Sequence, residues 1–238
     1  ILVDGGGSPT YDVGKNTLIP YLLDRKIKKI DYIVISHFDE DHVGGILSVI
    51  EEFKVGKIII GKQGESCEQY DMFCKLIKEK KIPVAVVKKG DIINIEKDVK
   101  IKILYPDSEL ISKNILNNNS IVAKLEYKNF KMLFTGDIEA VAEEKLLKIY
   151  PNDELKANIL KVPHHGSKSS STEKFIELVD ADIALVGVGA NNKFGHPNES
   201  VIERFCENGT VIYRTDKMGE IVIKSNGKKI KDAMVFIP

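Results

Sequence analysis

Short apolar runs typical of buried strands alternate along the chain with segments of helical periodicity, and no other feature limits the fold as strongly. The run "KIDYIVIS" (29–36), for example, is followed by the helical segment "GGILSVIEEF" (44–53). Such alternation predicts an α/β layered fold. A block of consecutive strand-like segments at residues 83–106 argues against a purely parallel, doubly wound sheet. We therefore expect two mixed sheets with helices on their outer faces.

The composition fits one large domain. The 238 residues are 43% hydrophobic, which is enough to bury a sizeable core, and we expect a single domain over residues 1–238. Because the chain opens within a strand-like run, "ILVDGGG", we expect at least one further strand upstream. No signal peptide is visible and no apolar run approaches the ~20 residues of a membrane span. We therefore expect no direct membrane insertion by this segment.

Charge and cysteine content argue against two classes of protein. Lysine plus arginine and aspartate plus glutamate both number 35, so net charge predicts no strong non-specific attraction to nucleic acid. This balance leaves room for a local basic groove. The three cysteines are an odd number without metal-motif spacing, which argues against a disulfide scaffold and for free thiols.

All histidines follow predicted strands. The chain has five, each directly after a strand-like run or in the loop that follows it: His37, His42, His164, His165 and His196. Asp137 ends a further strand, in "MLFTGD". Loops at strand ends are where α/β folds place their ligands. Histidines that only fill a core or a surface would also occur on helices and within strands, so this pattern indicates a functional site.

The segment "SHFDEDHVGG" (36–45) crowds ionisable groups at the end of a buried strand. A divalent cation offsets the repulsion and desolvation of such groups, and imidazole and carboxylate suit Zn, Mn or Fe. On a tight loop His37 and Asp39 can face one ion while Asp41 and His42 face a second, with Asp137 bridging the two. Paired ions of this kind activate water and clamp a phosphoryl or acyl oxygen.

With "LFTGD", "VPHHGS" and "FGHP" following in order, the chain resembles the metallo-β-lactamase superfamily. It is most similar to the C-terminal domain of ComEC-type DNA-uptake proteins of bacterial competence, which the stretches "ILVDGGG", "NNNS", "YRTD" and "GEIVI" also resemble. The resemblance covers essentially the whole chain. It implies an αββα sandwich with the site along one edge of the two sheets.

The superfamily loop reads His-x-His-x-Asp-His, and this chain has Asp39 in place of the second histidine. A further histidine of the first metal site has no counterpart, because "NNNS" (117–120) stands in that loop. Two imidazoles are thus lost and one carboxylate is gained. The resemblance implies two divalent ions, Mn or Zn, with Mg as an alternative. The oxygen-rich first site shifts the preference from Zn towards Mn or Mg, and we expect it to bind its ion more weakly.

The resemblance also assigns roles. His37 and Asp39 would hold the first ion, Asp41 and His42 the second, and Asp137 both. One of His164 and His165 would complete the second site, and sequence leaves open which. The other, with His196, would bind the substrate phosphate or protonate the leaving oxygen, since histidine titrates near neutrality. We assign catalytic roles to His164, His196 and Asp41.

Four further residues are candidate substrate contacts. Asn119 and Ser120 could contact a phosphate or fill a coordination position, or could simply form a polar turn that starts the next strand. Ser167 and Lys168 lie in "GSKSSSTEKF", where exposed amides and hydroxyls could bind an anion. In that same segment Ser170 and Glu173 have capping-box spacing, which predicts a helix start at Ser170.

The resemblance implies a two-metal nuclease that acts on DNA, with single strands as the expected substrate, during competence DNA uptake. It also implies a partner in the membrane-channel region of the same full-length protein, with tethering at the bacterial cell membrane. One alternative keeps the enzyme class but hydrolyses a small phosphodiester, thioester or lactone. A second alternative is a non-catalytic, metal-containing domain that binds nucleic acid.

Overall fold

The computed structural model describes residues 1–236, which divide into two compact units. The first unit consists of Ile1–Lys88 and Pro106–Ile121. The second consists of Lys89–Tyr105 and the chain from Val122 onward. No helix within the described residues is long and apolar enough to cross a membrane.

The first unit is built on a four-stranded sheet in the order β1-β2-β3-β4, with every neighbouring pair parallel. Its strands are β1 Leu2–Val3, β2 Lys29–Ile35, β3 Lys54–Gly61 and β4 Val84–Val87. Its helices are α1 Ile19–Asp24, α2 Glu40–Glu52, α3 Glu68–Lys80 and α4 Ile115–Asn118, with a π-helical turn at Gly14–Leu18.

Branched aliphatic side chains fill the core of the first unit. β2 and β3 supply Ile33, Ile35, Ile58 and Ile60, all buried. The apolar residues of α2 recur at helical spacing, so one face of that helix packs into the same cluster. The carboxyl end of β2 is thereby held rigidly where the ionisable segment begins.

The second unit is built on a seven-stranded sheet in the order β11-β10-β9-β8-β7-β6-β5, together with the hairpin β12-β13. Its strands are β5 Ile92–Glu96, β6 Val99–Tyr105, β7 Val122–Tyr127, β8 Phe130–Phe134, β9 Ile159–Lys161, β10 Ile183–Val186, β11 Val211–Arg214, β12 Glu220–Ser225 and β13 Ile230–Phe236. Its helices are α5 Ala140–Ile149, α6 Glu173–Val179, α7 Glu199–Glu207 and α8 Thr215–Met218.

Strand pairing in the seven-stranded sheet changes from antiparallel to parallel at the middle of the sheet. Strands β5 to β8 pair antiparallel, whereas β8 to β11 pair parallel through helical crossovers. The consecutive strands expected at residues 83–106 are β4, β5 and β6. Strand direction is thus mixed in the seven-stranded sheet, whereas the four-stranded sheet is parallel in each described pair.

Candidate metal-binding and catalytic residues

The first cluster of predicted ligands lies between β2 and α2. His37 follows the buried end of β2 and is itself only 2% exposed. Asp39 is the residue that precedes α2, and Asp41 and His42 lie in its first turn. Asp41 is exposed while His42 is buried, and ligand atoms of the two lie within 4.8 Å of each other. Local chain direction therefore brings the predicted ligands of this segment together.

The Asp4 carboxylate orients the His42 ring. Nδ1 of His42 lies 2.9 Å from Asp4 Oδ2, and Asp4 also accepts hydrogen bonds from the Ser36 backbone N–H and hydroxyl, each at 2.8 Å. Burial by itself raises the pKa of the Asp4 carboxyl, but the His42 ring and these hydrogen bonds outweigh it and hold that pKa below its ordinary range. With Nδ1 engaged, the ring presents Nε2 as its metal-binding atom.

His37 carries a buried nitrogen that suits a metal ion. Its Nδ1 lies 3.0 Å from the Ser36 hydroxyl. Its Nε2 has no hydrogen-bond partner in the described part of the chain and lies 3.5 Å from Asp39 Oδ2. A buried polar atom without a partner is costly, and a cation between this nitrogen and the Asp39 carboxylate would remove that cost.

Glycines let the loop after β1 lie against α2. A Cβ at Gly45 would come within 2.2 Å of the Gly5 carbonyl oxygen, and one at Gly7 within 1.8 Å of the Glu40 carbonyl oxygen. The Gly5 N–H also donates to the His42 carbonyl oxygen at 2.8 Å. This close packing fixes the position of Asp4 beside His42.

The second cluster lies in the second unit. Asp137, 2% exposed, follows β8 by way of Gly136, whose φ is +51°. His164 and His165 lie in the turn Pro163–Gly166 after β9, with φ values of 49° and 53°. Asp137 Oδ2 is 3.4 Å from His165 Nε2 and 3.9 Å from His164 Nε2. Parallel pairing of β8 with β9 brings these strand ends to the same edge of the sheet.

The two neighbouring histidines have different hydrogen-bond environments. His165 Nδ1 lies 2.6 Å from the Gly187 carbonyl oxygen, which only accepts, so Nδ1 carries the proton and Nε2 presents its lone pair toward Asp137. His164 Nδ1 instead lies 3.4 Å from the Ser169 hydroxyl and 3.9 Å from Glu139 Oε1. His165 therefore has the ring orientation that a metal ligand needs, and ligand atoms of His165 and Asp137 lie within 4.8 Å of each other.

His196 lies beside His164. The two ring centroids are 5.9 Å apart in an edge-to-face arrangement. The Asn192 side chain fixes the loop, since its Oδ1 accepts from the His196 N–H at 2.9 Å and its Nδ2 donates to the His196 carbonyl at 2.7 Å. The structure thus brings both candidate proton donors to one end of the second cluster.

The serine segment is held by a residue that the sequence analysis missed. The fully buried Glu143 of α5 accepts hydrogen bonds from the N–H groups of Ser171 at 2.5 Å and Thr172 at 2.8 Å. Burial is the largest influence on the pKa of Glu143 and raises it, against those hydrogen bonds and the charge of Arg204. Arg204 of α7 in turn donates to the Ser171 carbonyl oxygen.

The helix start predicted at Ser170 is wrong. The residue that precedes α6 is Thr172, and the Ser170 hydroxyl instead donates to the Ile138 carbonyl oxygen at 2.8 Å. Ser167 is buried with its hydroxyl 3.0 Å from that of Ser169, and Lys168 is exposed. The glutamate of α5, far away in sequence, therefore replaces the local capping box.

The side chain of Asn119 has a structural role. Its Oδ1 accepts from the Ile111 N–H at 2.9 Å, and its Nδ2 donates to the carbonyl oxygens of Ile111 at 2.8 Å and Ile115 at 2.7 Å. Ser120 is fully buried, and its N–H donates to the Asn117 carbonyl at 3.0 Å. These contacts favour the polar-turn alternative over a phosphate contact for Asn119.

Comparison with known proteins gives consistent matches. A family model described as the metallo-β-lactamase superfamily matches residues 1–189. "ComE operon protein 3" of Bacillus subtilis is 31% identical over 234 residues, which are 93% of this chain and 29% of that protein. "Competence protein ComA" of Neisseria gonorrhoeae is 28% identical over 222 residues, which are 93% of this chain and 28% of that protein. The chain therefore spans less than a third of the length of these curated relatives.

One solved structure shows the likeness in three dimensions. A putative metal-dependent hydrolase from Parabacteroides distasonis aligns with a TM-score of 0.51 at 17% identity, covering 79% of this chain and 77% of that one. At this identity the likeness concerns the fold alone. Together with the family match, it confirms the α/β fold class predicted from the sequence.

Proposed function

Since the chain belongs to the metallo-β-lactamase superfamily, we propose that it hydrolyses phosphodiester bonds of DNA, most readily in single strands, with the help of two divalent ions. Membership places the chain among metal-dependent hydrolases. The resemblance to competence proteins inferred from the motifs is confirmed by relatives at 28–31% identity over 93% of the chain. The choice of DNA as substrate is the step that the following observations support.

The donor set fits divalent ions. In this proposal His37 and Asp39 would hold the first ion and Asp41 and His42 the second, and Asp137 would be a ligand of both. The anchored Nδ1 of His165 favours this histidine over His164 as the remaining ligand. The proposed ions are Mn or Zn, with Mg as an alternative, and the three carboxylates shift the preference from Zn towards Mn or Mg.

The ring orientations of His42 and His165 carry the proposal. Each ring places Nδ1 on a fixed oxygen, that of Asp4 at 2.9 Å or of Gly187 at 2.6 Å. This is the arrangement by which proteins orient metal-ligating histidines, and it occurs at residues predicted as ligands from sequence. A merely structural histidine has no need of a fixed Nε2 beside a carboxylate, as His165 has beside Asp137.

Bound divalent ions supply Lewis acidity, which activates water and stabilises charge on phosphoryl oxygens. The chain supplies the proton transfers. The exposed Asp41 carboxylate accepts a proton from the attacking water, and His164, with His196 beside it, protonates the leaving oxygen. Ser167 and Lys168 remain candidates for holding the phosphate.

DNA is the favoured substrate because the relatives that align over most of the chain include a competence protein by name. The role proposed for the whole protein is cleavage of DNA during uptake, at the bacterial cell membrane. Its proposed partner there is a membrane-channel region of the same full-length protein.

The test is cleavage of single- and double-stranded DNA, labelled at the 5′ or 3′ end, with Mn, Mg and Zn added separately. We expect metal-dependent cutting that falls to background in Asp137→Ala and persists in Asp232→Ala, an exposed aspartate on β13. Persistent cutting by Asp137→Ala would show that these residues are not the active site.

A second measurement separates the alternatives. If calorimetry shows tight metal binding but no DNA is cut with any metal, the nuclease proposal is wrong and a small-ester hydrolase becomes the better assignment. If the chain binds both metal and DNA but hydrolyses no phosphodiester, thioester or lactone, a non-catalytic DNA-binding domain is indicated instead.

A further inference from the structure

An aromatic ring projects from the second cluster into solvent. Phe194 is 79% exposed, more than any other large hydrophobic side chain in the described residues. Its ring is stacked on His196, with centroids 5.8 Å apart and planes 21° from parallel. His196 in turn contacts His164, whose Nε2 is 3.9 Å from Asp137. A row of three rings thus leads outward from a predicted metal-binding carboxylate.

The backbone beneath this ring is fixed. Asn192 closes the loop with hydrogen bonds to both backbone groups of His196, at 2.9 and 2.7 Å. One face of Phe194 lies toward His196, and its high exposure leaves the opposite face open to solvent. A ring on a fixed loop loses little conformational freedom when a planar group stacks on it.

The chemistry of the row points to a nucleotide. The imidazoles of His164 and His196 suit a phosphate, whereas an exposed phenyl ring suits a flat apolar surface. Phosphates of one strand in duplex DNA advance ~3.4 Å per nucleotide along the axis, and an unstacked strand can extend further. Ring steps of 5.8–5.9 Å therefore place Phe194 within a few nucleotides of His164. Aromatic side chains are the usual stacking platforms for single-stranded bases.

We propose that Phe194 is a stacking platform for a nucleobase of the DNA strand, next to the phosphate that the histidines contact. This inference rests on the proposed DNA-cleaving function and adds a residue that selects unpaired bases. A base in a duplex is stacked on its neighbours and is not available to Phe194. The platform would therefore favour single strands without a strongly basic surface.

The experiment measures binding of a fluorescently labelled single-stranded oligonucleotide to the 238-residue chain in EDTA. A second oligonucleotide of the same length carries abasic sites throughout its centre. The variants are Phe194→Ala, Phe194→Tyr and the control Phe236→Ala, an exposed phenylalanine on β13 at 50% exposure. Because Phe194 is so exposed, its replacement is expected to leave the melting temperature unchanged.

We expect Phe194→Ala to weaken binding of the intact oligonucleotide by about 5- to 150-fold, the range given by loss of one base–aromatic stack. Phe194→Tyr should bind within about twofold of the wild type, because tyrosine keeps the ring. Phe236→Ala should bind like the wild type. On the abasic oligonucleotide, Phe194→Ala and the wild type should bind equally.

Several results would overturn the inference. They are equal binding of the intact oligonucleotide by Phe194→Ala, an equal loss on both oligonucleotides, and no binding by the wild type. A loss seen only with phosphatidylglycerol vesicles would place Phe194 at a lipid surface instead. The binding experiment needs no metal. If Phe194→Ala weakens binding in EDTA while the wild type cuts no DNA with added Mn, Mg or Zn, the hydrolytic function is contradicted and the stacking platform stands.

Discussion

The two clusters of candidate ligands are held in place by different means. In the first unit a half-buried carboxylate, Asp4, fixes the His42 ring, and glycine contacts hold the loop after β1 close to α2. In the second unit the backbone takes part in each contact: the Gly187 carbonyl fixes His165, and two N–H groups of the serine segment donate to the Glu143 carboxylate. The comparison teaches that equivalent chemical groups can be positioned by side-chain charge or by loop backbone. Mutations should separate the two.

The largest effect is expected at Glu143. Glu143→Ala leaves the N–H groups of Ser171 and Thr172 without their acceptor, and a buried unsatisfied donor costs ~1–3 kcal/mol. We expect the free energy of unfolding to fall by about 2–5 kcal/mol, measured by urea denaturation. Glu144→Ala is the matched control, since that neighbour is 67% exposed and should change stability by less than ~0.5 kcal/mol. Equal losses in both variants would contradict the backbone-capture role of Glu143.

Gly45→Ala tests the tight packing of the first unit. The added Cβ would lie 2.2 Å from the Gly5 carbonyl oxygen, so the loop or α2 must shift. Such overpacking costs about 1–3 kcal/mol, which the same denaturation experiment measures. At Gly189, a Cβ would meet nothing within 4 Å, and Gly189→Ala should be nearly neutral. A neutral Gly45→Ala variant would mean that this contact is not needed to place Asp4.

Asp4→Asn tests the side-chain anchoring of His42 separately from packing. Asparagine tolerates the positive φ of 53° at this position and keeps the shape of aspartate. It removes the negative charge that lies beside the His42 ring. Loss of a residue that hydrogen-bonds a metal-ligating histidine lowers metal affinity by about 10- to 100-fold. Titration calorimetry with Mn and Zn measures this change, with the exposed Asp31→Asn as control. Unchanged affinity would remove Asp4 from the metal site.

The smallest effect concerns pH. Because burial raises the pKa of Glu143 above its ordinary value of 4.5, the folded chain holds this proton more tightly than the unfolded chain. The stability that this group contributes is present below that value and is lost as pH rises through the folded pKa, at no more than ~1.4 kcal/mol per pH unit. Glu143→Gln should lack this component when stability is measured from acid to neutral pH. If the wild type and Glu143→Gln lose stability in parallel over this pH range, Glu143 makes no such contribution.

The sequence was most informative where the signal is local. Alternating apolar runs predicted the α/β class, and the positions of the histidines after strands predicted the histidines that lie in each of the two clusters. A prediction based on one short motif was less secure, because Ser170 has capping-box spacing but the helix begins after Thr172. The contact that holds this segment instead comes from the Glu143 carboxylate, 28 residues away from Ser171 in sequence.

Other parts of the site had weak sequence signals. Asp4 follows a strand of only two residues, although its place before three glycines could have marked it as a strand-end ligand partner. The choice between His164 and His165 depends on the Gly187 carbonyl, and nothing in the sequence shows which ring that carbonyl meets. The sequence left Asn119 open as either a turn residue or a phosphate contact, and its three hydrogen bonds to Ile111 and Ile115 favour the turn.

The turn after β9 also bears on how the chain can change over evolutionary time. His164 and His165 have successive φ values of 49° and 53°, a backbone conformation that costs a non-glycine residue ~1–2 kcal/mol. Glycine at either position would relieve that cost and remove an imidazole. Selection for thermal resistance alone would therefore favour glycine at positions 164 and 165. Persistence of histidine at both positions across natural variants would record selection for activity against stability.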